Sequence, residues 1–443
     1  MKWLSLGLLP LVLGAQQPLT LAEAVRIAQT SHPSIQAASA RLDAALHRIQ
    51  QARSGIWPKL NYQESYQRSN NPVFVFSTLL TQRRFGEENF RINALNNPSS
   101  VQNFQSVLSV DQTLWDFGLT KRQTELAELQ RQLTDEERRL VEMNLGAGAV
   151  RFYLGVLLAE QALQVAREAV ASATADLKRA ENVRAAGMST DADVLSLKVH
   201  LAAMKENEIA RRSELEVAKA ALNEALGAPL DTERQLVTPL TALANLPAAL
   251  EDLEKRALSE RPDARQALLG IEVAQKQAQL ARLAWLPQVS ARGVLEANRG
   301  RFITQAGGNW FAGLNLRWNL FNGYADRAKL REAQSMMKSY EAQHKQVSSA
   351  LRLQVRKAYA EWTAANERMA TASAAVAQAE ESLRITRNRY EAGLATLTDL
   401  LRTETAKNEA VLRKLIAVHD QRLAAAMVAL AAGALTPDSE VLR

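Results

Sequence analysis

Leu108-Ser109-Val110-Asp111-Gln112-Thr113-Leu114-Trp115-Asp116 and Leu314-Asn315-Leu316-Arg317-Trp318-Asn319-Leu320-Phe321-Asn322 are one pattern written twice, 206 residues apart. Apolar residues recur at alternate positions, which is the signature of a strand with one apolar and one polar face. The same offset carries Tyr153 onto Tyr359, Ala186-Gly187-Met188 onto Ala392-Gly393-Leu394, and Asp193-Val194-Leu195 onto Asp399-Leu400-Leu401. Leu114 to Asp193 and Leu320 to Asp399 both span 79 residues, so no net insertion separates the copies there. A repeat of fixed length suits a rigid rod of defined reach.

Upstream, Ser31-His32-Pro33 and Glu260-Arg261-Pro262 each open a run that ends at a second proline, Pro58 or Pro287, 25 residues on. Pro58 to Asp116 is 58 residues but Pro287 to Asn322 is 35, so the first copy carries 23 extra. They fall in 69–101, whose Asn, Pro and Ser edges predict a long loop between two strands. Each copy begins with a helix, 19–56 or 249–285, expected to kink at Pro33 or Pro262. Strands are expected near 59–68, 104–116, 288–297 and 309–321. Trp310, Leu314, Leu316 and Trp318 form the clearest apolar row. The two tryptophans, about 26 Å apart along a strand, match the apolar band of an outer-membrane barrel.

The third part of each copy is a long helix. No proline occurs from Thr120 to Ala186 or from Asp326 to Ala392. About 67 residues at 1.5 Å each make a rod of roughly 100 Å. Val355, Trp362, Met369, Val376, Leu383 and Tyr390 recur every seven residues, with Ala358, Ala365, Ala372, Ala379 and Thr386 three later. Copy one repeats this with Val156, Leu163, Val170 and Leu177 beside Ala159, Ala166, Ala173 and Ala180. A strict period of seven implies a left-handed coiled coil. Gly187 and Gly393 supply left-handed residues at the helix ends, and Thr190 and Thr398 are the expected caps of the returning helices. The helical hairpins then occupy 120–227 and 325–433.

Composition narrows the function. The chain has 443 residues, 47% apolar and 23% charged, and no cysteine. Disulfides, zinc fingers, thiol nucleophiles and acyl-cysteine anchors are excluded. The net charge of +7 is spread along the chain rather than gathered with stacking aromatics, so nucleic-acid binding is not expected. Residues 1–15 read as a secretory signal peptide. No later stretch approaches 18 uncharged apolar residues, so a membrane span would have to be a β-barrel. The domain plan is signal peptide 1–15, first repeat 16–227, linker 228–248, second repeat 249–433 and C-terminal tail 434–443.

Signal peptide, duplicated helix–hairpin–helix plan, the strand endings Trp115-Asp116-Phe117-Gly118 and Phe321-Asn322-Gly323, and the Ala-Gly turns resemble the TolC-type outer-membrane efflux family over roughly 18–433. The resemblance implies a mainly α chain with a membrane β-barrel. It further implies a homotrimer with a 12-stranded barrel in outer-membrane lipid and a long α-helical periplasmic tunnel. It implies a channel, the exit duct of a tripartite efflux or type I secretion system, partnered by a periplasmic adaptor and an inner-membrane transporter. Independently, one chain offers four strands, whose open edges lipid does not tolerate; two copies would close at eight strands and three at twelve.

The resemblance also places a periplasmic gate. Asp399 falls on the first of two family aspartates and Arg402 on the second, so the doubled acidic ring is not reproduced. Tyr390 and Asp193 fall on positions that can tie neighbouring helices shut. Ala395 stands where the family has an arginine. The tips Ala186, Gly187, Met188, Ala392, Gly393 and Leu394 are the expected adaptor contacts.

Catalysis finds no motif: no Gly-x-Ser-x-Gly, phosphate loop or His-Glu-x-x-His occurs. No cofactor or metal is expected, and the Met336-Met337 pair reads as gap-filling. Gly146 and Gly148 mark close helix packing. The five histidines read as solvated or capping, and the acidic residues of the long helices as surface partners of Lys and Arg. A non-channel coiled-coil spacer of the cell envelope would share the helices but not the amphipathic strands.

Overall fold

The computed structural model describes residues 18–185, 190–243, 248–303 and 306–442. The expected signal peptide and the turn Ala186-Gly187-Met188 lie outside the described residues. In chain order the elements are β1 (Pro18–Leu19), α1 (Leu21–Ser31), α2 (Pro33–Arg53), β2 (Lys59–Ser69), α3 (Pro72–Thr81), α4 (Ile92–Asn96), β3 (Val101–Trp115), α5 (Leu119–Ala185) and α6 (Asp191–Ala225). There follow β4 (Gln235–Leu236), α7 (Leu250–Glu260), α8 (Pro262–Leu283), β5 (Gln288–Arg299), β6 (Gly307–Arg317), α9 (Ala325–Glu391) and α10 (Leu397–Ala431). The long helices α5 and α9 have 67 residues each, and the return helices α6 and α10 have 35 each.

Two compact units form, and each draws on both copies of the repeat. One comprises residues up to Ala40, Asp135–Ala267 and His344 onwards; the other comprises Arg41–Thr134 and Leu268–Gln343. The first is helical. Leu21, Val25, Val150, Tyr153, Leu154 and Val156 are fully or almost fully buried in its core. The linker is stitched to this core: β4 runs parallel to β1, with Leu19 opposite Leu236. The Tyr153 hydroxyl donates to the Leu19 carbonyl at 2.9 Å and accepts from the Thr238 N–H at 3.0 Å. One stretch of α5 is long and apolar enough to cross a membrane by composition, contrary to the expectation that none occurs. Ala149 to Leu157, within α5, are largely buried in the core, so the apolar character serves packing.

The sevenfold seam is observed. Val355, Ala358, Ala365 and Val376 are buried, as are Val156, Leu163, Ala166, Ala173 and Ala180. The expected kinks are complete breaks. His32 and Arg261 are extended, with ψ of 138° and 135°, because the residue before a proline is pushed out of the helical region. Gly227 and Gly433 approach these breaks at φ of +68° and +73°. A Cβ on Gly227 would lie 2.9 Å from the His32 Cα, so only glycine serves there.

The second unit holds an antiparallel sheet in the order β2-β3-β5-β6. Each copy gives one adjacent pair of strands, and β3 against β5 joins them, with Leu108 opposite Leu295. The first-copy insertion is folded rather than a long loop. Asn71 accepts from the Phe74 N–H and Pro72 opens α3, a capped start that suits an apolar ten-residue run.

The Tyr153→Phe variant should cost about 1–3 kcal/mol, since it leaves the Thr238 N–H without its acceptor, while the Leu19 carbonyl keeps only the Val237 N–H. Thermal unfolding of the purified protein reads this as a lowered midpoint; an unchanged midpoint would show that the linker is held elsewhere.

Candidate functional site

The sheet has two chemically distinct faces. Register places Leu60, Tyr62, Tyr66, Phe104, Leu108, Leu295, Trp310, Leu314 and Leu316 on one face. Trp310, Leu314 and Leu316 are 79%, 76% and 63% exposed, an apolar surface with no covering layer among the described residues. The other face carries Gln105, Asn103, Glu296, Asn298, Asn309 and Asn315. There the Asn103 amide donates to Asn298 at 2.6 Å and Gln105 to Glu296 at 2.9 Å.

The strand β6 ends at Arg317, short of the expected 321, so Trp318 and Leu320 lie in the connector. Polar capping ends it. Asn319 donates to Asp326 at 2.9 Å, and Gly323 and Tyr324 are both left-handed. Trp318 instead donates through Nε1 to the Trp285 carbonyl at 3.1 Å.

At the other end of α9, Gly393 takes φ of +72°, the Leu394 N–H returns to the Arg389 carbonyl and the Gly393 N–H to Tyr390. This is a glycine helix terminus. Thr396, not Thr398, caps α10, and it is the residue that the 206 offset pairs with Thr190. Asp399 and Asp193 complete matching capping boxes. Asp399 accepts from the Thr396 hydroxyl at 2.7 Å and backbone N–H at 3.1 Å. Asp193 accepts from Thr190 at 2.8 and 3.3 Å.

The Thr396 hydroxyl and N–H hold the Asp399 carboxyl below its ordinary range, with the Arg389 and Arg402 charges assisting. Asp399 and Arg402 are exposed; Ala392, Gly393 and Leu394 are too. Tyr390 packs beside Val194, Leu197 and Leu397, where burial and then the Asp193 charge push its hydroxyl pKa up. The expected gate residues thus fall into two neighbouring pairs, Asp399 with Arg402 and Tyr390 with Asp193.

A buried ionic cluster lies on the same helices. Glu404 and Asp176 are 5% and 9% exposed, against the expectation that acidic residues of the long helices are surface partners. Arg387 reaches Glu404 at 2.5 Å and Asp176 at 3.9 Å. Burial raises the Glu404 pKa, the Asp176 charge raises it further, and Arg387 offsets part of this. His200 is half-buried rather than solvated, and that burial lowers its pKa against the pull of Asp176. The spacing Leu397, Leu400, Glu404 carries the signal: the glutamate continues an apolar row of the helix.

Comparison with known proteins follows this geometry. The chain matches the Outer membrane efflux protein family over residues 24–228 and 253–434, nearly all of both repeats. The chain belongs to that family. It is similar to the alkaline protease secretion protein AprF of Pseudomonas aeruginosa, 26% identical over 98% of this chain and 89% of the relative. It is also similar to the pyoverdine export outer membrane protein OpmQ of Pseudomonas putida, at 23% over 88% of this chain and 80% of that one. The solved outer membrane channel CmeC of Campylobacter jejuni shares the fold, with a TM-score of 0.77 at 16% identity, covering 95% of this chain and 87% of that one. This efflux-family protein is an outer-membrane channel extending into the periplasm.

The two repeats of the efflux protein treat one position pair oppositely. The 206 offset sets Glu181 and Lys198 against Arg387 and Glu404. Copy one keeps a loose exposed pair, Lys198 to Glu181 at 3.8 Å, of the kind that contributes little. Copy two reverses the charges, buries the glutamate and adds Asp176.

Two carboxyl groups around one guanidinium make this cluster sensitive to pH. Because the Glu404 pKa is raised in the folded state, its contribution is full below the ordinary carboxylate range, about pH 4, and is lost as pH rises through the raised value. His200 acts in the opposite sense, losing stability as pH falls through its lowered pKa. Glu404→Gln should remove the Glu404 component and raise thermal stability at neutral pH relative to the parent. A parent and variant with parallel pH profiles would place the titration elsewhere.

Proposed function

We propose that this channel is a passive conduit, without a catalytic step of its own, closed near the α9–α10 turn by a constriction that Asp399 lines. The observation that carries this reading is the state of Asp399: exposed, yet locked by Thr396 in its ionised form. Around a threefold axis, three such carboxylates would set a negative field in the lumen, and a field of one sign concentrates counter-ions. Arg402, one helical turn on, offsets part of that field. The Tyr390–Asp193 pairing supports a closing role for the neighbouring helices.

The exposed turn Ala392-Gly393-Leu394 offers a surface to the adaptor, and the sequence repeat assigns Ala186-Gly187-Met188 to the same role. Trp310, Leu314 and Leu316 face lipid, with Trp318 just beyond the strand end. The relatives are named for protease secretion and for pyoverdine export. The conduit reading needs no cargo-specific pocket, so either class of cargo suits the same duct.

Asp399→Asn tests the gate while sparing the cap, because the amide oxygen still accepts from the Thr396 N–H. In planar bilayers the variant should lose much of the cation preference and of the block by multivalent cations. Unchanged selectivity and block would put Asp399 outside the lumen.

The two faces of β6 give a second test. Leu314→Lys should cost about 2–4 kcal/mol at the bilayer midplane, read as loss of folded trimer in the outer membrane. Asn315→Lys should be tolerated. Equal harm from both would contradict the face assignment.

A further inference from the structure

The folded insertion encloses a cleft at the end of the sheet where β2 finishes and β3 begins. Its volume is about 1330 Å³, and its lining includes Arg68, Arg83, Arg84 and Arg301 with no Asp or Glu among the described residues. Glu87 and Glu88 of the same insertion do not line it. Phe76 and Phe85 stack edge to face in its wall, 4.8 Å apart. Such a site offers several positive charges with apolar surface beside them.

The arginines are aimed rather than loose. Gln82 is 4% exposed and donates to the Gln102 carbonyl at 2.9 Å and to Asn103 at 3.0 Å. Its remaining oxygen accepts from Arg84 at 3.2 Å. Arg83 follows at φ of +56°, a left-handed conformation rare outside glycine, and its guanidinium donates to the Gly308 carbonyl at 2.9 Å. Arg68 donates to Ser100 at 3.1 Å. Each of these bonds uses one donor of a five-donor fork, and Arg68, Arg83 and Arg84 make no ion pair among the described residues. Arg299 differs, being paired with Glu64 at 2.6 Å. Gly307 lets the insertion seat this closely, since a Cβ there would collide with the Thr81 carbonyl.

We propose that this cleft binds the phosphorylated headgroup of an outer-leaflet glycolipid. Arginine forks match phosphate in a bidentate geometry that a point charge does not reproduce. Two observations point to lipid as the source of the phosphate. Arg68 continues the register of Leu60, Tyr62 and Tyr66, the face assigned above to lipid. The insertion also exposes Val73, Phe90 and Ile92 by 77%, 66% and 78%, next to the charged cleft. The inference rests on the outer-membrane placement of the sheet and adds a ligand to its outer rim.

The test uses the purified full-length trimer in detergent and the double variant Arg68→Gln/Arg84→Gln, which spares Arg83 and its bond to the loop. Probes are lipopolysaccharide, its dephosphorylated form, and inorganic tripolyphosphate, with binding read by native mass spectrometry and by titration. Lipopolysaccharide should bind the parent, weaken by about tenfold or more in the variant, and weaken with added salt. The dephosphorylated form should bind poorly, and tripolyphosphate should compete only weakly.

Equal binding to parent and variant, or equal binding of the dephosphorylated lipid, overturns the proposal. Tripolyphosphate binding as tightly as the lipid overturns the lipid source, and no binding to the parent overturns the proposal. Single-channel conductance of both proteins separates these outcomes from a failure of the membrane reading, because it reports barrel insertion whatever the cleft binds. If the double variant does not assemble, Arg84→Lys replaces it: the charge stays, the fork is lost, and lipid affinity should still fall.

Discussion

A backbone N–H or C=O left unpaired in hydrocarbon costs several kcal/mol, and the sheet of this protein has two open edges, β2 and β6. That requirement governs the rest. An amphipathic sheet of four strands, apolar and uncovered on one face, can enter a membrane only when other copies close it. Assembly of several copies is thus a condition for the fold of the strands. Strands of 11, 15, 12 and 11 residues supply comparable spans from both repeats. Helices of 67 and 35 residues in each copy carry the same equality into the coiled coil.

The duplication preserves geometry more faithfully than chemistry. Where strand passes to long helix, both copies place two left-handed residues in succession. The glycine stands second in one, Phe117-Gly118, and first in the other, Gly323-Tyr324. Asp116 caps the first junction with both carboxylate oxygens, on Gly118 and Thr120, and Asn322 takes its place in the second. The tips diverge similarly. Arg184 pairs with Asp191 at 2.5 Å in copy one, and the 206 offset carries those residues onto Tyr390 and Leu397, which pack together through apolar surface. A shared backbone thereby presents ionic chemistry on one hairpin and apolar and buried-acid chemistry on the other.

These differences bear on how a conduit can be both rigid and able to open. Small residues at alternate seam positions let helices approach closely, as Ala365 and Ala173 show at 1% exposure. Two buried carboxyl groups sharing one half-buried arginine are costly unless all three are satisfied. Arg387 still has an Nε without a partner. The coiled coil is thus tightest along its alanines and least settled around Asp176, Arg387 and Glu404, within a few turns of the Asp399 capping box.

Sequence alone determined the duplication, the strand faces, the 67-residue helices and the capped turn at Gly393. Each of these follows from local periodicity or from the chemistry of a single turn. The Thr190 and Thr396 caps were equally local, and the repeat offset itself identifies Thr396. Tertiary structure decided the remainder. Gly227 and Gly433 pack against the breaks before Pro33 and Pro262. The strand ending before Trp318 depends on Asn319 reaching Asp326, and Tyr153 finds its two partners on segments more than eighty residues away. The burial of Asp176 and Glu404 and the four-arginine cleft depend on which helices and loops meet. A charge pattern reads alike on a solvated face and in a seam; only the packing around it removes the water and gives the charge its role.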